Sequence, residues 1–195
     1  MSAVADAGRA ELGPAYKWLA TATVLCGMLA SILSSTMTNV AIPDVMGAFG
    51  VGQDKAHWLS TGFLAASTAA MPTVAWLRDR FGARAIFIAA MGIFSVAALV
   101  GESADSVEMV ILARVVQGAC AGISQPLALM TIFQLFPPND RGLASGIFGM
   151  GVILGPALGP TFGGLIVDAF GWRYVFLGSL PMCALGIMMA LVFLP

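Results

Sequence analysis

Gly149-Met-Gly-Val-Ile-Leu-Gly-Pro-Ala-Leu-Gly-Pro-Thr-Phe-Gly-Gly164 lies inside a charge-free run from Gly142 to Val167. A run of that length without one ionisable side chain matches the ~20 apolar residues a helix needs to cross a bilayer. Within it, Gly151, Gly155, Gly159 and Gly163 recur every fourth residue. On a helix this spacing makes one ridge without side chains, which lets a neighbouring backbone approach closely. Pro156 and Pro160 each remove a backbone donor and predict a bend. The run reads as a close-packed, bent membrane helix, suited to moving against a partner.

Five further segments have the same character. Trp18–Pro43, Trp58–Leu77, Ala85–Gly101 and Tyr174–Pro195 carry no charge, and Met109–Phe136 carries only Arg114. The six expected spans are therefore 18–43, 58–77, 85–101, 109–136, 142–167 and 174–195, joined by short loops. The whole chain has 195 residues, 59% hydrophobic and only 10% charged, against about 25% charged in soluble domains. A water-soluble fold of this size has no means of hiding so much apolar surface. The alternating strands of about ten residues that mark a membrane barrel are absent. The expectation is an all-α membrane protein, a six-transmembrane-helix bundle at 18–195 preceded by a polar tail at 1–17. That tail is mixed in charge, and the apolar run after it is too long for a cleavable signal.

The basic residues are segregated. With the N-terminus on the cytoplasmic side, the inner segments hold Arg9, Lys17, Arg78, Arg80, Arg84 and Arg141, and the outer ones only Lys55 and Arg173. The positive-inside rule then puts both termini in the cytoplasm. The chain stops at Pro195 as the sixth span reaches that side, with no polar cap, which suggests a fragment.

Three constellations stand out besides the glycine ridge. The first is Ala75-Trp-Leu-Arg-Asp-Arg-Phe-Gly-Ala-Arg84, between spans two and three. Gly82 permits a tight turn there. Asp79 lies among three arginines and is expected to pair with them or with the positive end of a nearby helix. The second is Arg114, because a charge within the membrane is costly and marks function. Arg114, Gln117, Ala121 and Gln125 fall on one helix face. Arg114 also lies ~9 Å from Glu108 along the axis, so snorkelling outward is one reading and a polar stripe facing a cavity is the other; the stripe favours the cavity. The third is in span one, where Ser31, Ser34, Ser35 and Thr38 share a face with Asn39 at its margin. Ser34 sits at a depth where it can meet Arg114, although small hydroxyl residues also serve plain helix packing.

Catalytic and metal chemistry find no support. Cys26, Cys120 and Cys183 lie far apart in apolar runs, and the lone His57 sits in a polar loop. An intramembrane hydrolase needs a nucleophile and a base within the spans, and no such pair is present. No cofactor and no nucleic-acid partner is implied.

Taken together the motifs resemble the major facilitator superfamily, specifically its multidrug/proton antiporter branch with fourteen transmembrane helices, over its first six. Leu33-Ser-Ser-Thr-Met-Thr-Asn-Val-Ala-Ile-Pro43 resembles the branch's first-helix signature. Residues 75–84 resemble the cytoplasmic gating loop, here Asp79, Arg80, Gly82 and Arg84, whose aspartate helps hold the outward-facing state. Residues 110–118 resemble the fourth-helix motif, whose arginine, here Arg114, is linked to proton transfer. Residues 151–164 resemble the antiporter motif, here Gly151, Gly155, Pro156, Gly159, Pro160, Gly163 and Gly164. Gly171-Trp-Arg-Tyr-Val-Phe176 resembles the entry to helix six.

The resemblance implies the N-terminal half of a secondary transporter of the bacterial cytoplasmic membrane. Its expected cargo is an amphipathic or cationic organic compound, exported against protons by alternating access. Cavity or coupling roles then fall to Arg114, Gln117 and Gln125, and cavity lining to Ser34, Thr38 and Asn39. The partners implied are the lipid bilayer, the small organic substrate, protons, and either a missing C-terminal half or a dimer partner. The rival reading is a truncated, non-transporting membrane module. Two departures matter. The branch often carries an acid where this chain has Ser34, and no Asp or Glu replaces it inside the six spans. Ala75 and Ala83 stand where glycine and a basic residue are usual.

Overall fold

The computed structural model describes residues 15–194; most of the polar tail read at 1–17, and Pro195, lie outside the described residues. The described chain is helical from end to end. Its elements are α1 (Ala15–Phe49), α2 (Gln53–Ala56), α3 (Trp58–Ala70), α4 (Val74–Phe81), α5 (Ala83–Glu102), α6 (Val107–Leu135), α7 (Arg141–Phe170), α8 (Tyr174–Leu177) and α9 (Leu180–Phe193). Five stretches are long and apolar enough to cross a membrane: α1, α5, α6, α7 with the turn before it, and α8 with α9. The second expected span is different. A 3₁₀ turn at Met71–Thr73, with Pro72 at its start, divides it into α3 and α4. Proline lacks the donor an α-helix requires and tightens the turn instead.

Pro43, Pro126, Pro156 and Pro160 are accommodated within continuous helices. Span one consequently runs past Pro43 to Phe49, and its 35 residues rise ~52 Å at 1.5 Å each, well beyond the ~30 Å hydrocarbon core. The sixth span is interrupted at Gly178 and Ser179, just before Pro181.

In lipid there is little hydrophobic force between helices, so association depends on close packing and on polar links. The bundle is built on two close pairs, α3 with α6 and α1 with α7. In the first, a Cβ on Gly118 would overlap the backbone of Phe63, and one on Gly122 the backbone of Ser67. In the second, the ridge read from the sequence lies on α1. Gly151 meets Met28, Gly155 meets Ile32, Gly159 meets Thr36, and Gly163 lies 3.0 Å from the Met37 Cα, measured from an added Cβ. All four ridge glycines are buried, and Ala144 is the one other buried residue of α7. The helix is held along one stripe. Pro156, Pro160, Ile153, Leu158 and Phe162 lie on its exposed remainder. α6 and α9 also pack on α1, and α5 bridges α6 and α9. Phe87 of α5 fills the notch left by Gly27 of α1, where a Cβ would stand 2.6 Å from the ring.

The two ends of the bundle differ. At one, Lys17 lies over the rings of Trp18 and Phe136, and Arg84 donates to the Leu191 carbonyl near the end of α9. At the other, Lys55 pairs with Glu108, and Arg173 donates to the Glu102 carbonyl at 2.9 Å. His57 is in the turn between α2 and α3 at this end, beside Gln53.

Gly159→Leu and Gly164→Leu separate the ridge from its neighbour, because a Cβ on Gly164 meets nothing within 4 Å. Overpacking costs about 1–3 kcal/mol and often more at a backbone contact. Gly159→Leu should lower the thermal midpoint in detergent and broaden the size-exclusion peak, while Gly164→Leu leaves both near wild type. Equal behaviour of the two would mean that the ridge does not hold α7. Gly118→Val should be as damaging as Gly159→Leu by the same two measurements.

Candidate functional site

The site grows from Arg114, seven residues into α6. Its side chain is fully buried and is the largest such side chain in the described chain. Nε donates to the Leu59 carbonyl of α3 at 3.3 Å. Nη1 donates to Ser34 Oγ of α1 at 3.2 Å and to Gln117 Oε1 of α6 at 2.9 Å. The guanidinium carbon stands 4.3 Å from the centre of the Phe63 ring, close enough for a cation–π attraction, which is stronger when desolvated. One cation thus joins three helices. Outward snorkelling is not what the structure shows, and neither is a side chain lining an open face: the head group is enclosed within the bundle.

No carboxylate among the described residues pairs with it: the single ion pair there is Lys55–Glu108, between exposed side chains at one end of the bundle. In the low dielectric of the interior an unpaired charge is expensive. The substitutes here are a carbonyl, a hydroxyl, an amide oxygen and an aromatic face. Two buried nitrogens, Arg114 Nη2 and Gln117 Nε2, have no partner among the described residues.

The other expected residues divide. Ser34 and Gln117 join Arg114 as their depth and helix phase predict. Thr38 is buried one turn on, its hydroxyl donating to the Ser34 carbonyl at 2.7 Å. Asn39 is exposed and accepts from Ser60 of α3 at 2.5 Å, so it belongs to the α1–α3 contact toward the Lys55–Glu108 end. Gln125 is half-buried and ~16 Å further along α6 than Arg114 at 1.5 Å per residue, outside the cluster.

Ser124, Phe63 and the Leu59 carbonyl escaped the sequence reading. Ser124 faces Ser31, a residue of the expected span-one stripe, at 3.2 Å across α1 and α6. The signal for Ser124 was available, since it continues the 3-and-4 spacing of Arg114, Gln117 and Ala121. Phe63 and the Leu59 carbonyl carried no such signal, because an apolar residue and a backbone oxygen look the same in any membrane helix.

The loop between α4 and α5 turns at Gly82, whose φ of +83° is open to glycine at little cost. Arg80 lies over Trp76 and Phe81, and Arg84 is engaged with α9. Asp79 is exposed and forms no ion pair with the arginines around it, contrary to the pairing expected within the loop. Arg80 and Arg84 follow aromatic and carbonyl partners instead, and solvated charges gain little from pairing.

Comparison with known proteins agrees with this architecture. The family model of the Major Facilitator Superfamily matches residues 24–195. An uncharacterized MFS-type transporter of Bacillus subtilis, YhcA, is 38% identical over 86% of this chain and 31% of its own length. The probable multidrug resistance protein EmrY of Escherichia coli is 34% identical over 85% of this chain and 32% of its own. The multidrug export protein EmrB of Haemophilus influenzae is 35% identical over 77% and 29%. Among solved structures, the proton:xylose symporter XylE bound to 6-bromo-6-deoxy-D-glucose superposes with a TM-score of 0.81 at 18% identity, over 91% of this chain and 44% of that one. The chain spans about a third of the length of the curated relatives it matches. On its helices, its motifs and these matches, the chain is an integral membrane protein that belongs to the major facilitator superfamily.

Proposed function

We propose that this chain forms the N-terminal half of a secondary active transporter of the bacterial cytoplasmic membrane, with both termini cytoplasmic. The transporter exports amphipathic or cationic organic compounds by alternating access, driven by protons. The observation that carries this reading is the Arg114 cluster. Alternating access requires each half to rock largely as a rigid body. A buried cation bonded to α1, α3 and α6 ties those helices into one body at the depth where polar groups are most costly and most often functional. The names of EmrY and EmrB, a probable multidrug resistance protein and a multidrug export protein, support the cargo class. A cationic cargo is compatible with Arg114, because the guanidinium is enclosed and does not face the cargo. With no Asp or Glu inside the six expected spans, the proton-carrying acid belongs to another part of the transporter.

The test is efflux of a fluorescent cation, ethidium, from cells carrying the complete gene. Arg114→Ala should reduce efflux roughly tenfold or more with the amount of protein in the membrane unchanged. Undiminished efflux at equal protein level would remove the cluster from the mechanism. Asp79→Asn should also lower efflux, yet leave the thermal midpoint near wild type, because Asp79 makes no ion pair within this half. A fall in midpoint instead would assign Asp79 a structural role inside the loop.

A second reading, a membrane module that acts only with a second half or a dimer partner, is favoured by the exposed apolar side of α7. Immunoblotting the native membrane with an antibody to residues 1–17 distinguishes the two. A band near 20.1 kDa supports a separate half, and one two to three times larger, as a rough ratio of relatives to chain, supports the complete transporter.

A further inference from the structure

Gly171-Trp-Arg-Tyr-Val-Phe176 has no part in the Arg114 cluster, yet it gathers three helices at the Lys55–Glu108 end of the bundle. Gly171 stops α7. Its φ of +97° is one that other residues rarely adopt, and its N–H donates to the Val167 carbonyl at 2.9 Å. The Trp172 ring then stands 5.6 Å from that of Phe49, at 66°, a favourable edge-to-face contact. Arg173 lies over the same indole, its guanidinium carbon 5.1 Å from the ring centre. Its Nη1 donates to the carbonyl of Glu102, the last residue of α5. A helix end leaves carbonyls unsatisfied and favours a cation beside them. Phe176 is fully buried with Val45 of α1 and Ala98 of α5. Its ring fills the space at Gly101, where an added Cβ would stand 2.9 Å from it.

These contacts account for two features that crossing a membrane does not require. α1 continues past Pro43 to Phe49, and the extra turns carry Val45 and Phe49 to Phe176 and Trp172. The sixth span is interrupted after Leu177, which leaves α8 as a separate turn against α1. Val175 packs there with Met37 and Ala41, and Gly178 makes room for the Met37 methyl group, 2.6 Å from an added Cβ. α7 itself is held along its glycine stripe, and a single stripe is an axis about which a helix can roll. We propose that Trp172 and Arg173 form a clasp that fixes the end of α7 to α1 and α5, so that α7 moves with this half as one body and does not roll on its ridge. Both are positioning residues, acting on α7 and not on Arg114. The clasp's part in transport rests on the export reading above, because alternating access needs rigid halves; its part in holding α7 does not.

The experiment uses the protein made from the complete gene, with its native cysteines replaced by alanine. Spin labels are placed at Asp105→Cys, in the turn after α5, and Asp168→Cys, near the end of α7, both exposed positions. Double electron–electron resonance then reads the spread of distances between the two ends. The protein with an intact clasp should give one narrow distribution. Trp172→Leu and Arg173→Gln should each broaden it. Tyr174→Leu should not, because Tyr174 is exposed and its ring contact is with Phe170. Ethidium efflux at equal protein level is the second readout. Both clasp variants should lose maximal rate several-fold with the half-saturating concentration unchanged, since neither residue meets the cargo. Should Trp172→Leu fail to fold, Arg173→Gln decides, because it leaves Trp172 and Phe176 in place and removes only the cation. Distributions as narrow in the clasp variants as in the parent, or equal broadening by Tyr174→Leu, overturn the clasp. Broadening with an undiminished maximal rate overturns its part in transport. A parent protein that exports no ethidium counts against the export reading alone, and the distances then decide the clasp.

Discussion

The bundle depends on a guanidinium that water cannot reach. Placing Arg114 at full burial is unfavourable unless its surroundings replace the lost hydration. They do so from three helices at once: the Leu59 carbonyl from α3, the Ser34 hydroxyl from α1, and Gln117 from the same turn of α6. Separating any of these helices would leave a buried polar group without its partner, so the cation makes the arrangement cooperative. The carbonyl is informative in itself. Arg114 and Leu59 lie on spans four and two, which run in the same direction, Phe63 meeting Gly118 and Ser67 meeting Gly122, and their bond fixes the relative height of α3 and α6. The bond to Ser34 does the same for α1. Arginine suits this task better than lysine, since its donors are spread over a rigid plane and can serve three directions simultaneously.

Glycine makes these bonds geometrically possible. A long guanidinium reaches a carbonyl on a neighbouring helix only if the axes are close, and Gly118 and Gly122 bring α6 against the backbone of α3 one turn beyond Arg114. The ridge on α7 performs the same service against α1. The consequences differ because the surroundings differ. α6 is packed on several sides, with 14 of its 29 residues buried, whereas α7 has five of 30. The same spacing therefore builds the inside of the bundle in one case and attaches a peripheral helix along a single stripe in the other.

Much of this was legible in the sequence, and the parts that were not share a cause. Charge-free runs pointed to the apolar helices, because an ionisable side chain in the bilayer is costly unless its neighbours satisfy it, as they do Arg114. The every-fourth spacing of Gly151 to Gly163 gave the buried face of α7, because helix periodicity is local. The meeting of Ser34 and Arg114 followed from depth and phase. Helix boundaries were less legible: Pro43 suggested an end to span one, yet α1 continues to Phe49, since a membrane helix accommodates a proline when its surroundings re-satisfy the freed backbone groups. Pro72 had the opposite outcome and divides the second span into α3 and α4. The partners of α6 glycines, the Phe63 ring and the loop contacts of Arg80 and Arg84 are tertiary facts. Nothing in a single sequence says which aromatic ring or which carbonyl will lie opposite.

The replacement of an acid by Ser34 bears on how such a half keeps its charge balance. A carboxylate at that position would give Arg114 a fixed counter-ion, present throughout the transport cycle and able to take up a proton. A hydroxyl cannot ionise there, so it offers a hydrogen bond without neutralising the charge. The half then holds a positive charge whose compensation is partial, from the Phe63 ring and oriented dipoles, and whose remaining donors all lie on one nitrogen and one neighbouring amide. With Ser34 at this position the junction is held by hydrogen bonds and a cation–π contact in place of an ion pair, so its stability rests on the close spacing of three helices.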